Sequence, residues 1–162
     1  MITVKINGEE RQYPQGATYE DVANDYQQEY ENLIALAARD GKIRELFKKL
    51  TRDCEVTFFT LKDDVGNKTY VRSATMLFLK AVFDVYGREA AQSCRVEFAI
   101  GNGSYISPKE KINATEENAA KIRNRMRELV EAKTPFLKRS YSLDNAMELF
   151  RKEGMKDKEK LF

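Results

Sequence analysis

Two predicted hairpin turns, one before and one after the start of a predicted helix, constrain the fold of the first sixty residues. Asn7-Gly8 and Asp40-Gly41 are pairs that tolerate the positive φ angles of tight hairpin turns. Between them, Thr18-Tyr-Glu-Asp21 matches a capping box, in which the threonine hydroxyl accepts a hydrogen bond from a free amide of a new helix. Apolar and polar residues alternate from Ile2 to Ile6, and a last strand is predicted from Cys54 to Leu61.

Hairpin, helix, hairpin and closing strand together predict a small mixed sheet wrapped over one helix. This is the plan of a β-grasp domain, and we expect it to occupy residues 1–62. The segment from Asp63 to Asn67 is polar and is interpreted as a linker. Residues 68–162 then form a second domain, with a C-terminus that we expect to be truncated. The predicted fold class is therefore α+β.

The second domain is predicted to contain three helices and a hairpin. The segment from Val71 to Tyr86 is apolar on nearly every face, which predicts a deeply buried helix ended by Gly87. Residues 96–100 alternate as a strand, and Gly101-Asn-Gly103 predicts a turn into a return strand from Tyr105. Thr115 and Ser142 are expected to cap two further helices, the last of them stopped at Gly154, with a frayed tail beyond. The predicted buried stripe of the longer helix is Ala119, Ile122, Met126, Leu129 and Val130.

Composition excludes several kinds of site. The chain has no histidine, which rules out Ser-His-Asp and Cys-His catalysis and any zinc site that uses an imidazole. Its two cysteines cannot form a four-thiolate site, and its net charge of +2 gives no strong long-range field. The stretch from Met76 to Val85 contains Lys80 and Asp84 and is too short and too charged to span a bilayer. With no signal peptide, we expect a cytoplasmic protein without a membrane partner.

The order of these signals resembles the start of a threonyl-tRNA synthetase, which has a β-grasp TGS domain followed by an editing domain. The stretches that carry the resemblance read T-Y-E-D-V-A, C-E-V-T-F-F-T, I-G-N-G-S-Y and S-L-D-N-A-M-E-L-F, and they are spread over essentially the whole chain. The resemblance implies a TGS-like domain joined to an editing-like α+β domain.

Departures from this family concern the chemistry of the editing site. Arg72 and Met76 occupy the positions where the synthetase carries a metal-binding histidine pair, and neither is a good metal ligand. Ser104 and Ile106 replace residues that are aromatic in the synthetase. The resemblance therefore implies that metal-dependent hydrolysis of mischarged tRNA has been lost, leaving neither a metal site nor catalytic residues.

The chain also resembles the degenerate region found ahead of the kinase domain in bacterial proteins similar to uridine kinases, of the phosphoribulokinase/uridine kinase family. That resemblance implies a non-catalytic regulatory module, with a C-terminal nucleoside kinase domain of the same chain as its partner. ATP and Mg²⁺ would belong to that kinase domain, because no G-x-x-x-x-G-K-[ST] loop occurs in this sequence and no cofactor is expected here. The alternatives are a tRNA-binding module and a residual hydrolase that edits aminoacyl-tRNA.

Two sets of candidate site residues follow. A vestigial pocket for a small regulatory ligand is predicted at Arg72, Ser73, Met76, Cys94, Tyr105 and Lys109. An arginine there can hold a carboxylate or phosphate, or it can simply fill the space left by a metal ligand. RNA binding is predicted at Lys121, Arg123, Arg125 and Arg127. The competing interpretation is that Glu128 and Glu131 pair with these residues on an ordinary solvated helix face.

Overall fold

The computed structural model describes residues 1–100, 103–108 and 112–161 and has the predicted α+β class. The strands are β1 (Ile2–Ile6), β2 (Glu9–Tyr13), β3 (Ile34–Arg39), β4 (Lys42–Arg44), β5 (Cys54–Thr60), β6 (Arg95–Ile100) and β7 (Gly103–Ser107). The helices are α1 (Tyr19–Tyr26), α2 (Asp64–Ser93), α3 (Glu116–Glu131), α4 (Leu143–Lys152) and α5 (Lys156–Glu159), with a short 3₁₀ turn at Gln27–Glu29.

The first five strands form one mixed sheet in the order β2-β1-β5-β3-β4. Its two hairpins are antiparallel, and β1 runs parallel to β5 at its centre, where Val4 pairs with Cys54. Asn7 and Gly8 both adopt positive φ, 52° and 89°, so the first turn forms as the sequence predicts. This topology confirms the β-grasp plan.

Helix α1 covers one face of this sheet and supplies much of its core. The Asp21 amide donates to Thr18 Oγ1 at 3.1 Å, and the Thr18 amide donates back to Asp21 Oδ2 at 2.7 Å, which completes the predicted capping box. Tyr19, Val22 and Tyr26 are fully buried against the sheet. The core therefore lies between α1 and the inward-facing residues of β1 and β5.

The segment from Asp63 to Asn67 is not the turn-forming linker that was predicted, because α2 already begins at Asp64. Asp63 ends the sheet instead: its Oδ2 accepts hydrogen bonds from the Thr60 amide at 2.7 Å and the Thr60 hydroxyl at 2.9 Å. Gly66 in the first turn of α2 is buried, and a Cβ there would overlap the Thr60 carbonyl. The strand thus passes into the helix through a tight turn that needs these polar and small residues.

Helix α2 is much less buried than predicted. Gly66, Ala81, Val82 and Ala90 are its buried residues, whereas large side chains such as Phe83 are exposed. The helix packs against β3 and β5 and also contacts α3 through Asp84 and Tyr86, and apolar residues occur all round it. Gly87 has a non-helical backbone with a φ of 83°, so the helix that precedes it ends there as predicted, and a second helical segment continues to Ser93.

The predictions for the remaining elements are mostly confirmed. β6 and β7 pair as an antiparallel hairpin, and the Asn118 amide donates to Thr115 Oγ1 at the start of α3. On α3, Ile122 and Leu129 are buried while Ala119 and Val130 are exposed, so the buried stripe is narrower than predicted. Gly101 and Asn102, the first two residues of the predicted turn, lie outside the described residues.

The chain divides into two compact units, Met1–Glu128 and Leu129–Phe162. In the second unit, the Asn145 amide donates to Ser142 Oγ, and Gly154, with a φ of 69°, follows the end of α4 as predicted. The short helix α5 forms where a frayed tail was predicted. The domain limits 1–62 and 68–162 stay a prediction.

Candidate functional site

Three of the predicted pocket residues lie on α2. Arg72 and Met76 are one helical turn apart and both are exposed, Met76 to 59%. The Ser73 hydroxyl donates back to the Thr69 carbonyl at 3.1 Å, so its hydrogen bond is made within the helix. None of these three residues lines either of the grooves described below.

Tyr105 lies on the β6–β7 hairpin beside a second aromatic residue. Phe98 and Tyr105 are paired across the two strands, and their rings stack with centroids 5.2 Å apart. Both rings remain accessible, with Phe98 58% and Tyr105 48% exposed. Exposed stacked rings of this kind can receive another flat group, such as a nucleobase. Lys109, the last predicted pocket residue, lies outside the described residues.

An apolar groove of about 580 Å³ lies between the hairpin and α3. Phe78 of α2, Ile106 of β7 and both Ile122 and Met126 of α3 line it, together with Cys94. Of the predicted pocket residues that the structure describes, Cys94 alone reaches this groove. Burial raises the pKa of the Cys94 thiol, which keeps it protonated and weakly nucleophilic at neutral pH.

Polar side chains hold the edges of this apolar groove. The Tyr86 hydroxyl donates to Asn118 Oδ1 at 2.8 Å, and Asn118 Nδ2 donates to the Asn113 carbonyl at 2.9 Å. Ser93 Oγ donates to the Pro108 carbonyl at 2.8 Å. The buried polar groups here are therefore satisfied within the protein, and the lining favours binding of an apolar group.

The four predicted RNA-binding residues of α3 differ in how they are held. Two form exposed ion pairs within the helix: Lys121 with Glu117 at 2.7 Å and Arg123 with Glu116 at 2.9 Å. The Lys121 ammonium lowers the pKa of the Glu117 carboxyl, mainly through their hydrogen bond. Pairs this exposed contribute little to stability and exchange partners readily.

The other two basic residues of α3, Arg125 and Arg127, differ in the ion pairs that they form. Arg125 reaches α2, where its guanidinium binds Asp84 Oδ2 at 2.9 Å, and it also binds Glu128 at 2.7 Å. Arg127 is exposed and forms no ion pair with any residue in the described parts of the chain. The predicted pairing with Glu128 is thus confirmed for Arg125.

A second groove was missed by the sequence analysis. It lies in the β-grasp half, has a volume of about 570 Å³, and is lined by Arg39, Arg44, Lys48 and Lys49 beside Tyr19. The available signal was the stretch 39–52, which holds six basic and two acidic residues. Averaging charge over residues 2–61, where acidic residues are in excess, conceals this local excess of positive charge.

The described residues contain neither a cluster of metal-ligating side chains nor a membrane-spanning helix. No group of three or more His, Cys, Asp or Glu side chains in ranges 1–100, 103–108 and 112–161 is arranged to hold a metal ion. Within the same ranges, no helix is both long enough and apolar enough to cross a membrane.

Comparison with known proteins finds threonine–tRNA ligases, whereas no family model matches. The chain is 29% identical over 161 residues to the ligase of Thermotoga maritima, covering 96% of this chain and 24% of the relative. It is 27% identical to that of Maricaulis maris and 25% identical to that of Carboxydothermus hydrogenoformans, each over 155 residues and 95% of this chain.

The chain spans about a quarter of the length of these curated relatives, 24% in all three cases. The relatives support the resemblance to threonyl-tRNA synthetase over nearly the whole chain. They give no support to the prediction that this chain is part of a nucleoside kinase. The ATP and Mg²⁺ expected for that kinase domain stay a prediction.

Proposed function

We propose that this chain is a tRNA-binding module. The observation that carries the proposal is the similarity to threonine–tRNA ligases, which extends over 96% of the chain with 29% identity. Proteins with that name act on tRNA, and the similar segment includes both the β-grasp sheet and the hairpin with α3. Because Arg72 and Met76 stand at the expected metal-ligand positions, binding without metal-dependent hydrolysis is the form of this function that we propose.

Helix α3 supplies the cations for phosphate contacts. Lys121 and Arg123 face only exposed glutamates, so an RNA phosphate can replace each carboxylate at little cost. Arg127 has no competing carboxylate among the described residues, and it follows Arg123 by one turn on the same face. We assign Arg125 to the contact with α2 rather than to RNA, because two carboxylates already bind its guanidinium.

The Phe98–Tyr105 pair supplies a platform on which an unpaired base can stack. Stacking on exposed aromatic side chains is largely independent of base identity and adds to phosphate contacts. Phosphate contacts by cationic side chains and stacking of bases on exposed rings are the two kinds of contact by which proteins commonly bind single-stranded RNA.

The test is direct binding of unfractionated tRNA to the chain by filter retention at 50 mM salt. The informative variant is Arg123→Gln/Arg127→Gln, which leaves the Arg125–Asp84 contact in place. Its matched control is Lys5→Gln/Lys62→Gln, which removes two exposed charges from the β-grasp half. We expect the α3 variant to bind at least tenfold more weakly and the control to stay within about threefold of the wild type.

Two results would overturn the proposal. One is the absence of tRNA binding by the wild-type chain at 50 mM salt. The other is equal weakening in the α3 variant and the control, since that pattern indicates net charge alone and not a site on α3.

A further inference from the structure

The groove in the β-grasp half concentrates positive charge around a buried hydroxyl. It lies between the start of α1 and the segment 43–51, and Arg39, Arg44, Lys48 and Lys49 contribute four positive charges to its lining. Glu45 is its one acidic lining residue. Asp40, the other acidic residue of this stretch, accepts a hydrogen bond from Arg52 at 2.9 Å. The lining therefore carries a clear excess of positive charge.

Both arginines of the groove are anchored and still have donors to spare. Arg39 Nη1 donates to Thr51 Oγ1 at 2.9 Å, and Arg44 Nη1 donates to the Ile43 carbonyl at 2.9 Å. A guanidinium carries five N–H donors in a fixed plane, so one anchoring bond leaves the others for a ligand. Lys48 and Lys49 are exposed and add mobile point charges at the rim.

Tyr19 provides a second and independent observation. Its side chain is completely buried, it lines the groove, and its hydroxyl proton has no acceptor. Burial raises the pKa of this hydroxyl, while the charge of Arg39, a hydrogen bond from the Arg39 guanidinium and the charge of Arg44 act in the opposite direction. Both arginines line the same groove as Tyr19. Buried hydroxyls in folded proteins normally have a partner, so this donor lacks an acceptor that a ligand could provide.

We infer that this groove binds a phosphate group. The planar guanidinium group of an arginine can donate two parallel hydrogen bonds to two oxygens of one phosphate. The two lysines add positive charge and do not require a particular orientation of the ligand. The Tyr19 hydroxyl needs a hydrogen-bond acceptor, and a phosphate oxygen can serve as that acceptor. The volume of about 570 Å³ is that of a small-molecule site.

This inference is independent of the proposed binding of tRNA by α3, although the phosphate can belong either to a small molecule or to an RNA backbone. The probe for the first source is inorganic pyrophosphate, titrated into the full chain by calorimetry at 50 mM salt. The probe for the second is a single-stranded 12-nucleotide RNA, titrated with and without saturating pyrophosphate.

The deciding variant is Lys48→Gln/Lys49→Gln, and Lys5→Gln/Lys62→Gln serves as its control with the same loss of charge. All four lysines are exposed, so thermal melting should show both proteins folded as the wild type is. We expect one pyrophosphate per chain, at least tenfold weaker binding in the groove variant, and a change below threefold in the control. Tyr19→Phe should weaken pyrophosphate binding about threefold or more without lowering the thermal midpoint, because it removes a hydroxyl whose proton has no acceptor in the protein.

Failure to bind pyrophosphate, or equal binding by the groove variant and the control, would overturn the inference. Displacement of the 12-nucleotide RNA by pyrophosphate would identify the backbone as the source of the phosphate, and independent binding would identify a small molecule. The Arg123→Gln/Arg127→Gln variant separates the two proposals, since it should lose affinity for tRNA while binding pyrophosphate normally.

Discussion

The Arg125 guanidinium binds Asp84 at 2.9 Å and so joins α3 to α2 between residues 41 positions apart in the sequence. Lys80 of α2 binds the other oxygen of the same carboxylate. One of the four basic residues predicted to contact RNA is therefore used inside the protein. Arg125 therefore has a structural contact with another helix, unlike Arg123 and Arg127, although all three belong to one charged helix.

Replacement of Arg125 by alanine should lower the thermal midpoint of unfolding, whereas replacement of Arg127 should leave it unchanged. The first change removes a contact between two helices, and the second removes a side chain without an ion pair in the described part of the chain. A double-mutant cycle of Arg125→Ala with Asp84→Ala isolates the pair. Additive effects of the two changes would show that the contact contributes nothing.

Acid should weaken the same contact. The hydrogen bond from Lys80, and then that from Arg125, holds the pKa of Asp84 below its ordinary value of 3.8. A carboxyl with a lowered folded-state pKa contributes its stability above pH 3.8 and loses it as the pH falls through the folded value. In urea unfolding at pH 5.5 and pH 3, Asp84→Asn should therefore show a smaller loss of stability than the wild type. An identical loss in both proteins would contradict this assignment.

Gly66→Ala should be strongly destabilising, by about 3 kcal/mol, because the new methyl group overlaps the backbone carbonyl of Thr60. Backbone cannot move aside as a flexible side chain can, so α2 must shift away from β5. The matched control is Lys68→Ala, an exposed change two residues further along the same helix, with an expected effect within about 0.5 kcal/mol. Urea unfolding measures both, and equal effects would show that the close approach at Gly66 is not required.

Two buried tyrosines should respond oppositely to loss of their hydroxyls. The Tyr26 hydroxyl has no hydrogen-bond partner, so Tyr26→Phe should be neutral or stabilising by about 1 kcal/mol. The Tyr13 hydroxyl donates to Asp25 Oδ2 at 3.0 Å, so Tyr13→Phe should destabilise by about 1 kcal/mol. The free energies of unfolding of the two variants decide the matter, and a marked loss in Tyr26→Phe would reveal a partner for that hydroxyl.

The β-grasp half was predictable because its signals are local. The Asn7-Gly8 turn, the Thr18–Asp21 capping box and the alternation in β1 each act within a few residues, and each fixes the element that it predicts. Burial in α2 was not predictable in the same way. Its apolar residues occur on every face, so periodicity cannot indicate which face the sheet covers.

The candidate sites, too, were only partly predictable from the sequence. The sequence identified the basic residues of α3 but not the contact of Arg125 with Asp84, because that pair depends on how two helices meet. The groove around Tyr19 was missed for a related reason. Its basic residues come from β3, β4 and the segment after β4, and only the folded sheet brings them together beside α1.

The salt dependence of tRNA binding tests the central claim most directly. Each phosphate contact made by a cationic side chain releases counterions, so removing two such contacts should reduce the slope of log K against log salt by about 1 to 2. Filter-binding titrations between 50 and 200 mM salt should show this reduction for Arg123→Gln/Arg127→Gln but not for Lys5→Gln/Lys62→Gln. An unchanged slope in the α3 variant would contradict the assignment of this helix as the tRNA-binding surface.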